Sequence, residues 1–254
     1  MKHEYYSLIP SAEPFLFPGE KAGILLVHGF TGAPKEMRTM GEFFAAHGYM
    51  VMGIRLPGHA TDVQDLPRVR WQDWLHAVED GFHLLQSAGL PVFIMGLSMG
   101  GVLTLTAAAR LPIAGAVAMS TPYYLSKDPR LPYARLFALI MPKFPKGASD
   151  WRDQAMLQGH VEYPYYPSRA IAEVRDLIAE MQRSLAKVNC PVLLIQSKSD
   201  GSVAPENVEL IFPRLGAAEK SILWLEKSGH VVIRDLERQV VFDAALEFVR
   251  KHQP

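Results

Sequence analysis

The sequence predicts an α/β protein in which a mainly parallel central sheet is covered by helices on both faces. Two observations predict it. Short strand-forming runs alternate with helical patterns along the chain, and these runs are apolar throughout rather than at every second residue. A third observation is size, because 254 residues, 49% hydrophobic and 20% charged, suffice for one large domain with a sizeable core.

The predicted strands are short runs without a charged residue, which is typical of strands buried on both faces of a sheet. They are residues 23–27, 49–54, 91–95, 114–119, 191–196 and 221–225. In open sheets of this kind, active residues gather at the carboxyl ends of the strands. The loops that follow these runs are therefore the places to search for functional side chains.

Four segments predict helices: 34–47, 71–87, 101–110 and 236–251. The first begins with Pro34, which suits the first helical position, and Gly48 provides a stop. The second is amphipathic, since its apolar side chains recur at helical spacing. The third is alanine-rich and apolar, as expected of a helix buried in the core.

One long segment interrupts this alternation. Residues 121–185 are rich in proline and tyrosine, and a structureless connection of that length is improbable in a compact domain. We predict an inserted helical cap there, over an α/β core made of residues 1–120 and 186–254. The run 136–141 is apolar on nearly all sides, so we expect it to face apolar surroundings on more than one side. The alternative is an insertion that serves only packing.

Composition excludes several classes of protein. The formal net charge is zero, so no long-range field attracts nucleic acid or an anionic membrane. The single cysteine, Cys190, cannot form an internal disulfide, and its place before an apolar run predicts a packed side chain. We find no secretory signal and no apolar run near the roughly 18 residues of a membrane helix, so we expect a cytoplasmic protein without stable membrane insertion. The oligomeric state stays open.

The most informative motif is Gly-Leu-Ser-Met-Gly at residues 96–100. It follows a predicted strand and precedes a predicted helix, which is the setting of a nucleophile elbow. We expect a strained backbone at Ser98, with Gly96 and Gly100 giving the neighbouring chain room. Its hydroxyl would then lie beside a helix N-terminus, which attracts negative charge. The alternative is an ordinary tight turn before a core helix.

A serine nucleophile needs a base, and in this arrangement the chain order is serine, acid, histidine. Asp200 follows the predicted strand 191–196, and His230 follows the last predicted strand. Glu226 and Asp235 also flank the histidine loop. Asp200 is favoured because it lies at the end of a separate strand, from which a carboxylate can orient the imidazole.

The loop at residues 28–32, His-Gly-Phe-Thr-Gly, follows the first predicted strand. A glycine-rich turn there can aim a backbone N–H at a substrate carbonyl, and the N–H of Met99 would be a second donor. His28 precedes the serine, so we interpret it as a scaffold residue that holds the loop by hydrogen bonds. His160 lies in the predicted cap, where we expect a polar surface position; contact with a leaving group is the alternative.

Together these motifs resemble the α/β-hydrolase superfamily, and more narrowly the small bacterial carboxylesterases and monoacylglycerol lipases. The resemblance runs from about residue 22 to the C-terminus and is weakest in the cap. It implies an α/β-hydrolase fold with Ser98 as nucleophile, His230 as base and Asp200 as its orienting acid. It also implies that Phe30 and Met99 supply the oxyanion-hole amides, and that neither a cofactor nor a metal is needed.

By this resemblance we expect hydrolysis of carboxylic esters with short to medium acyl chains, monoacylglycerols among them. A thioesterase, an amidase or a carbon–carbon bond hydrolase could use the same three residues. A catalytically silent receptor for small molecules is a further alternative, which a missing triad member would favour. Ser98 argues against dehalogenases and epoxide hydrolases of this fold, because they use a carboxylate nucleophile.

Overall fold

A seven-stranded sheet runs through the part of the chain that the structure, a computed structural model, describes: residues 8–125, 133–147 and 150–253. The first residues, in which we expect no signal, and Pro129 and Pro132 of the predicted cap lie outside these ranges. The strands of this sheet are β1 (Phe15–Phe17), β2 (Gly23–Val27), β3 (Met50–Ile54), β4 (Val92–Leu97), β5 (Gly115–Met119), β8 (Val192–Ser197) and β9 (Lys220–Leu225). A separate antiparallel pair consists of β6 (Lys143–Pro145) and β7 (Tyr165–Pro167).

The strand order is β1-β3-β2-β4-β5-β8-β9, and every pair in the main sheet is parallel except β1 with β3. All six predicted strands are present within one or two residues. The sequence did not reveal β1, because it has three residues and its middle one, Leu16, is 60% exposed. So short an edge strand shows no pattern long enough to recognise.

The helices alternate with these strands, as predicted for the four segments named above. They are α1 (Arg38–Ala46), α2 (Trp71–Gln86), α3 (Met99–Ala108), α4 (Ala134–Ile140), α5 (Gln154–Leu157), α6 (Ser168–Ser184), α7 (Glu206–Ile211) and α8 (Arg238–His252). The first predicted helix begins with a 3-10 turn at Pro34–Met37 and continues as α1. Gly48, between α1 and β3, has φ +85°. That left-handed conformation is one that glycine adopts without strain.

Two hydrophobic clusters fill the two faces of the sheet, so the predicted coverage by helices on both sides is confirmed. Successive residues of β2 belong to opposite clusters. Leu25 is part of the cluster under α2, α3 and α6, and Leu26 is part of the cluster under α1 and α8. All ten residues of α3 are buried, which explains its small, apolar composition. Among the described residues, no helix has both the length and the apolar character that crossing a bilayer requires.

The predicted cap segment divides into two structurally different parts. Its last helix, α6, buries Leu177, Ile178 and Met181 in the same cluster as the sheet and α3. The residues before it contain β6, β7, α4 and α5. Among the described residues of this part, those of β6, β7 and the loops, but none of α4 or α5, contribute to the wall of the candidate site described below. We therefore propose that the cap comprises about residues 121–167 and that α6 is a core helix.

The expectation for the apolar run 136–141 is wrong. Leu136, Leu139 and Ile140 are 63%, 80% and 83% exposed. The physical reason is that α4 packs against α6, and this contact leaves most of the surface of these three side chains in solvent. An apolar helix at the margin of an insertion lacks enough neighbours to cover its whole circumference.

Candidate active site

Ser98 forms the single-residue junction between β4 and α3. Its backbone has φ 55° and ψ −116°, a region that L-residues avoid, so the predicted strain is confirmed. A Cβ on Gly96 would lie 2.1 Å from the carbonyl oxygen of Gly100, and one on Gly100 would lie 2.2 Å from that of Val27. Both glycines are therefore needed for the close approach of β4, α3 and the loop after β2.

His230 and Asp200 come together from the loops after β9 and β8. The imidazole Nδ1 lies 2.9 Å from Oδ2 and 3.1 Å from Oδ1 of Asp200. Oδ1 also accepts the N–H groups of Ser202 and Val203, and Oδ2 accepts the side-chain amide of Gln196. The carboxylate is thus fixed in place, with Nδ1 of the histidine engaged and Nε2 left as the nitrogen that can serve a substrate.

The charges of this pair stabilise each other. Burial by itself lowers the pKa of His230, but the charge and hydrogen bond of Asp200, with Asp150 and Glu36 behind them, raise it above its usual 6.5. Burial likewise favours a protonated Asp200, yet His230 and two backbone N–H groups hold the pKa of this carboxyl below its usual range. The site is therefore built to accommodate an imidazolium–carboxylate pair.

The other two acids considered from the sequence do not contact the imidazole. Glu226 is exposed and pairs with Lys198 at 2.7 Å. Asp235 is buried, and its carboxylate accepts the backbone N–H of Gly229 at 2.7 Å. Of the three carboxylates, the Asp200 group is therefore the one placed to orient His230.

The loop after β2 is held by a buried carboxylate that the sequence did not reveal. Oε2 of Glu36 accepts the backbone N–H of Gly29 at 2.7 Å, and a Cβ on Gly32 would lie 3.1 Å from both carboxylate oxygens. Phe30 lies between these glycines, and its ring stacks on Tyr166 of β7 at 5.6 Å. Met99 is the first residue of α3, so its N–H has no partner within the helix.

His28 is a scaffold residue, as predicted. Its ring is fully buried, with Nδ1 2.9 Å from the carbonyl oxygen of Gly29. Nε2 accepts the backbone N–H of Leu56 at 3.2 Å, so Nδ1 carries the proton. Because burial lowers the pKa of His28, the ring stays neutral and joins two loops.

One cavity of about 910 Å³ brings the predicted site residues together: its wall includes Phe30, Ser98, Met99, Asp200 and His230. The cap contributes two kinds of wall to it. Met141, Phe144 and Tyr166 are apolar or aromatic, whereas Lys146, His160 and Glu162 are polar. The cavity can thus hold a molecule with an apolar part and a polar part.

The expectation that His160 lies on the cap surface is wrong. Its side chain is 5% exposed, its Nδ1 accepts from Arg234 at 3.2 Å, and its Nε2 lies 3.8 Å from Glu162. Glu162 also forms an ion pair with Lys146. Burial works against the charged form of Glu162, but His160 and Lys146 outweigh it and lower the pKa of this carboxyl to about 2.

A strained serine at a strand–helix turn, a buried histidine–carboxylate pair from two later strand ends, and a parallel sheet in this order define an α/β-hydrolase. A protein-family model described as "Serine aminopeptidase, S33" matches residues 18–237. Because the match spans most of the 254 residues, the chain belongs to this family.

The chain is 33% identical to the thermostable monoacylglycerol lipase of Bacillus sp. (strain H-257), over 98% of each sequence. It is 28% identical to a carboxylesterase of Bacillus subtilis (strain 168), over 96% of this chain and 98% of the relative. A solved structure from work on LipS and LipT, two metagenome-derived lipolytic enzymes, superposes with a TM-score of 0.90 at 34% identity, covering 97% of this chain and all of the other. The chain is accordingly a hydrolase of the lipase and esterase type.

Proposed function

We propose that this protein hydrolyses carboxylic esters through an acyl-enzyme on Ser98, with His230 as general base and Asp200 as its orienting acid. The observation that carries this proposal is the buried His230–Asp200 pair, which shares one cavity with a serine on a strained turn. A serine hydroxyl is a weak nucleophile at neutral pH, and a neighbouring imidazole activates it by accepting its proton.

In the first half-reaction, the Ser98 oxygen attacks the ester carbonyl carbon while its proton passes to Nε2 of His230. The tetrahedral intermediate then collapses, and the imidazolium returns this proton to the departing alcohol. In the second half-reaction, a water molecule gives its proton to His230 and attacks the acyl-enzyme. The carboxylic acid leaves as Ser98 regains its proton, so one ester and one water yield one acid and one alcohol.

The backbone N–H groups of Phe30 and Met99 are proposed to hold the oxyanion of each intermediate. Glu36 supports this role because it fixes the loop that carries Phe30, and the N-terminus of α3 adds a positive dipole end. Each preset donor of this kind is worth about 3 kcal/mol of transition-state stabilisation.

For the substrate we propose esters of short to medium fatty acids, with monoacylglycerols among them. The apolar cap side chains Met141 and Phe144 suit an acyl chain, and the polar group around Glu162 suits a hydroxylated alcohol. Two sequence relatives are named monoacylglycerol lipase and carboxylesterase, which supports the proposal of such ester substrates.

A labelling and substrate experiment tests the proposal. The wild-type protein should react with a fluorophosphonate probe and lose its activity in parallel, with the label found on the peptide containing Ser98. In a matched panel of ester, thioester and amide substrates of equal acyl length, the ester should give the highest kcat/KM, and monoacylglycerols should exceed ethyl esters. Absence of labelling would reject a serine hydrolase, and a preference for thioester or amide would assign the alternative activity.

The activity should be lost as the pH falls through the pKa of His230. The reaction needs the neutral imidazole, and the raised pKa places this loss above pH 6.5 rather than at it. A kcat/KM profile between about pH 5 and pH 9, measured in buffers of constant ionic strength, checks this expectation. A profile that stays flat down to pH 5 would contradict a neutral His230 as the base.

A further inference from the structure

The cap segment contacts both loops of the proposed acid–base pair through one carboxylate from its interior, that of Asp150. Oδ2 of Asp150 accepts the backbone N–H of Gly201 at 2.9 Å and the backbone N–H of His230, also at 2.9 Å. Gly201 follows Asp200 directly in the chain. A single oxygen atom from the cap therefore joins the two loops at the positions that carry Asp200 and His230.

The surrounding backbone fits closely around Asp150. A Cβ on Gly229 would lie 2.4 Å from the carbonyl oxygen of Asp150, and a Cβ on Gly201 would lie 3.3 Å from its Cβ. Distances below 3.0 Å are not tolerated against backbone, so a side chain at residue 229 would displace this contact. The glycine before His230 thus leaves room for the cap segment.

A second carboxylate connects the same two parts, but it belongs to the histidine loop and binds backbone N–H groups of the cap segment. Asp235, from the histidine loop, accepts the backbone N–H of Asp153 at 2.7 Å and that of Arg152 at 3.1 Å, besides that of Gly229. Arg238 adds an ion pair with Asp153 at 2.7 Å. The segment 150–153 is therefore attached to the histidine loop by reciprocal bonds, of which Asp150 supplies the one next to the imidazole.

We propose that Asp150 is a positioning residue, which fixes the loops of Asp200 and His230 relative to each other and adds a negative charge beside the imidazole. This inference rests on the proposed function of that pair. Besides Asp150, two carboxylates of the described residues act on the charge of His230: Asp200 from the loop after β8 and Glu36 from the turn before α1. Asp150 is the one among them that belongs to the cap, so the cap is part of the acid–base machinery rather than only a wall for substrate.

Two substitutions separate the hydrogen bonds of Asp150 from its charge. Asp150→Asn keeps an acceptor oxygen of the same reach but removes the charge, whereas Asp150→Ala removes both. Because the Asp150 charge contributes to raising the pKa of His230, Asp150→Asn should lower the pKa of the imidazole by about half a unit or more. Asp150→Ala should in addition lower kcat about 10- to 100-fold with little change in KM, since small displacements of reacting groups cost rates of this size.

Two controls accompany these variants. Asp235→Asn loosens the same attachment but removes a carboxylate that is not among the main causes of the pKa shift of His230, so the pKa of the imidazole should stay close to that of the wild type. Asp243→Ala, on the exposed side of α8, should match the wild type in every measurement. Circular dichroism and thermal melting verify that each variant is folded.

The pKa of His230 is followed by NMR titration of its imidazole, which does not depend on turnover, and kcat and KM are measured over the same pH range. A lowered imidazole pKa in Asp150→Asn but not in Asp235→Asn supports the proposal. An unchanged pKa in Asp150→Asn, or an equal fall in both variants, would overturn it, and so would wild-type kcat in a folded Asp150→Ala. If Asp150→Ala does not fold, the titration of Asp150→Asn decides. Failure of the fluorophosphonate test would reject the proposed function separately, because the titration is read without substrate.

Discussion

Replacement of Ser98 by alanine is expected to lower kcat by on the order of a millionfold while leaving KM nearly unchanged. The substitution removes the oxygen that would attack the carbonyl, and it leaves the cavity wall and the amides of Phe30 and Met99 in place. Residual turnover above that in water would come from those amides and from substrate positioning. Initial rates with a soluble short-chain ester, measured at high enzyme concentration, check this expectation.

The Ser98→Ala variant should keep its fold, because alanine retains the Cβ at the strained φ of 55°. Near-ultraviolet circular dichroism and the melting temperature provide the control. A parallel variant at an exposed serine, Ser87→Ala directly after α2, should retain full activity. More than about a tenth of the wild-type rate in Ser98→Ala would be incompatible with a nucleophilic role.

Replacement of Asp200 by asparagine is expected to lower kcat by about 10⁴-fold in a protein that still folds. Oδ1 accepts the N–H groups of Ser202 and Val203, so the asparagine oxygen should occupy that position. The amide NH₂ would then face Nδ1 of His230 and donate to it. The imidazole would carry its proton on Nε2, the nitrogen that has to accept the proton of the nucleophile.

The same amide NH₂ would also face the side-chain amide of Gln196, which donates to Oδ2 at 3.1 Å in the wild type. A modest fall in melting temperature should accompany the loss of activity for this reason. Nitrogen chemical shifts of His230 report its tautomer directly. Glu226→Gln, at an exposed acid, is the matched control and should have normal kinetics. Normal kinetics in Asp200→Asn would instead mean that another acid orients His230.

The sheet and its helices could be predicted because each buried strand is a short apolar run bounded by helical patterns. Where local pattern and tertiary environment diverged, the prediction failed. The run containing Leu136, Leu139 and Ile140 is apolar on nearly all sides, but hydropathy does not reveal how many neighbours surround an element. The edge strand β1 was not predicted for a related reason, since three residues at the border of a sheet carry too little pattern.

The candidate site could be predicted as far as chain order and strand ends reveal it. Ser98, Asp200 and His230 each follow a recognisable strand, so their convergence on one cavity follows from the fold. Glu36 and Asp150 could not be found in this way. Their carboxylates bind backbone N–H groups of other segments, and such contacts depend on the path of the folded chain rather than on a local motif.

The complete burial of α3 has a practical meaning for protein engineering. Since the residues of this helix after Met99 are enclosed by the sheet and its neighbouring helices, a substitution there would disturb packing before it altered substrate choice. The cap tolerates change more readily, because several of its large side chains already face solvent. Libraries aimed at a new substrate range should therefore vary the apolar cap positions that border the cavity, such as Met141 and Phe144, and leave α3 and Asp150 unchanged.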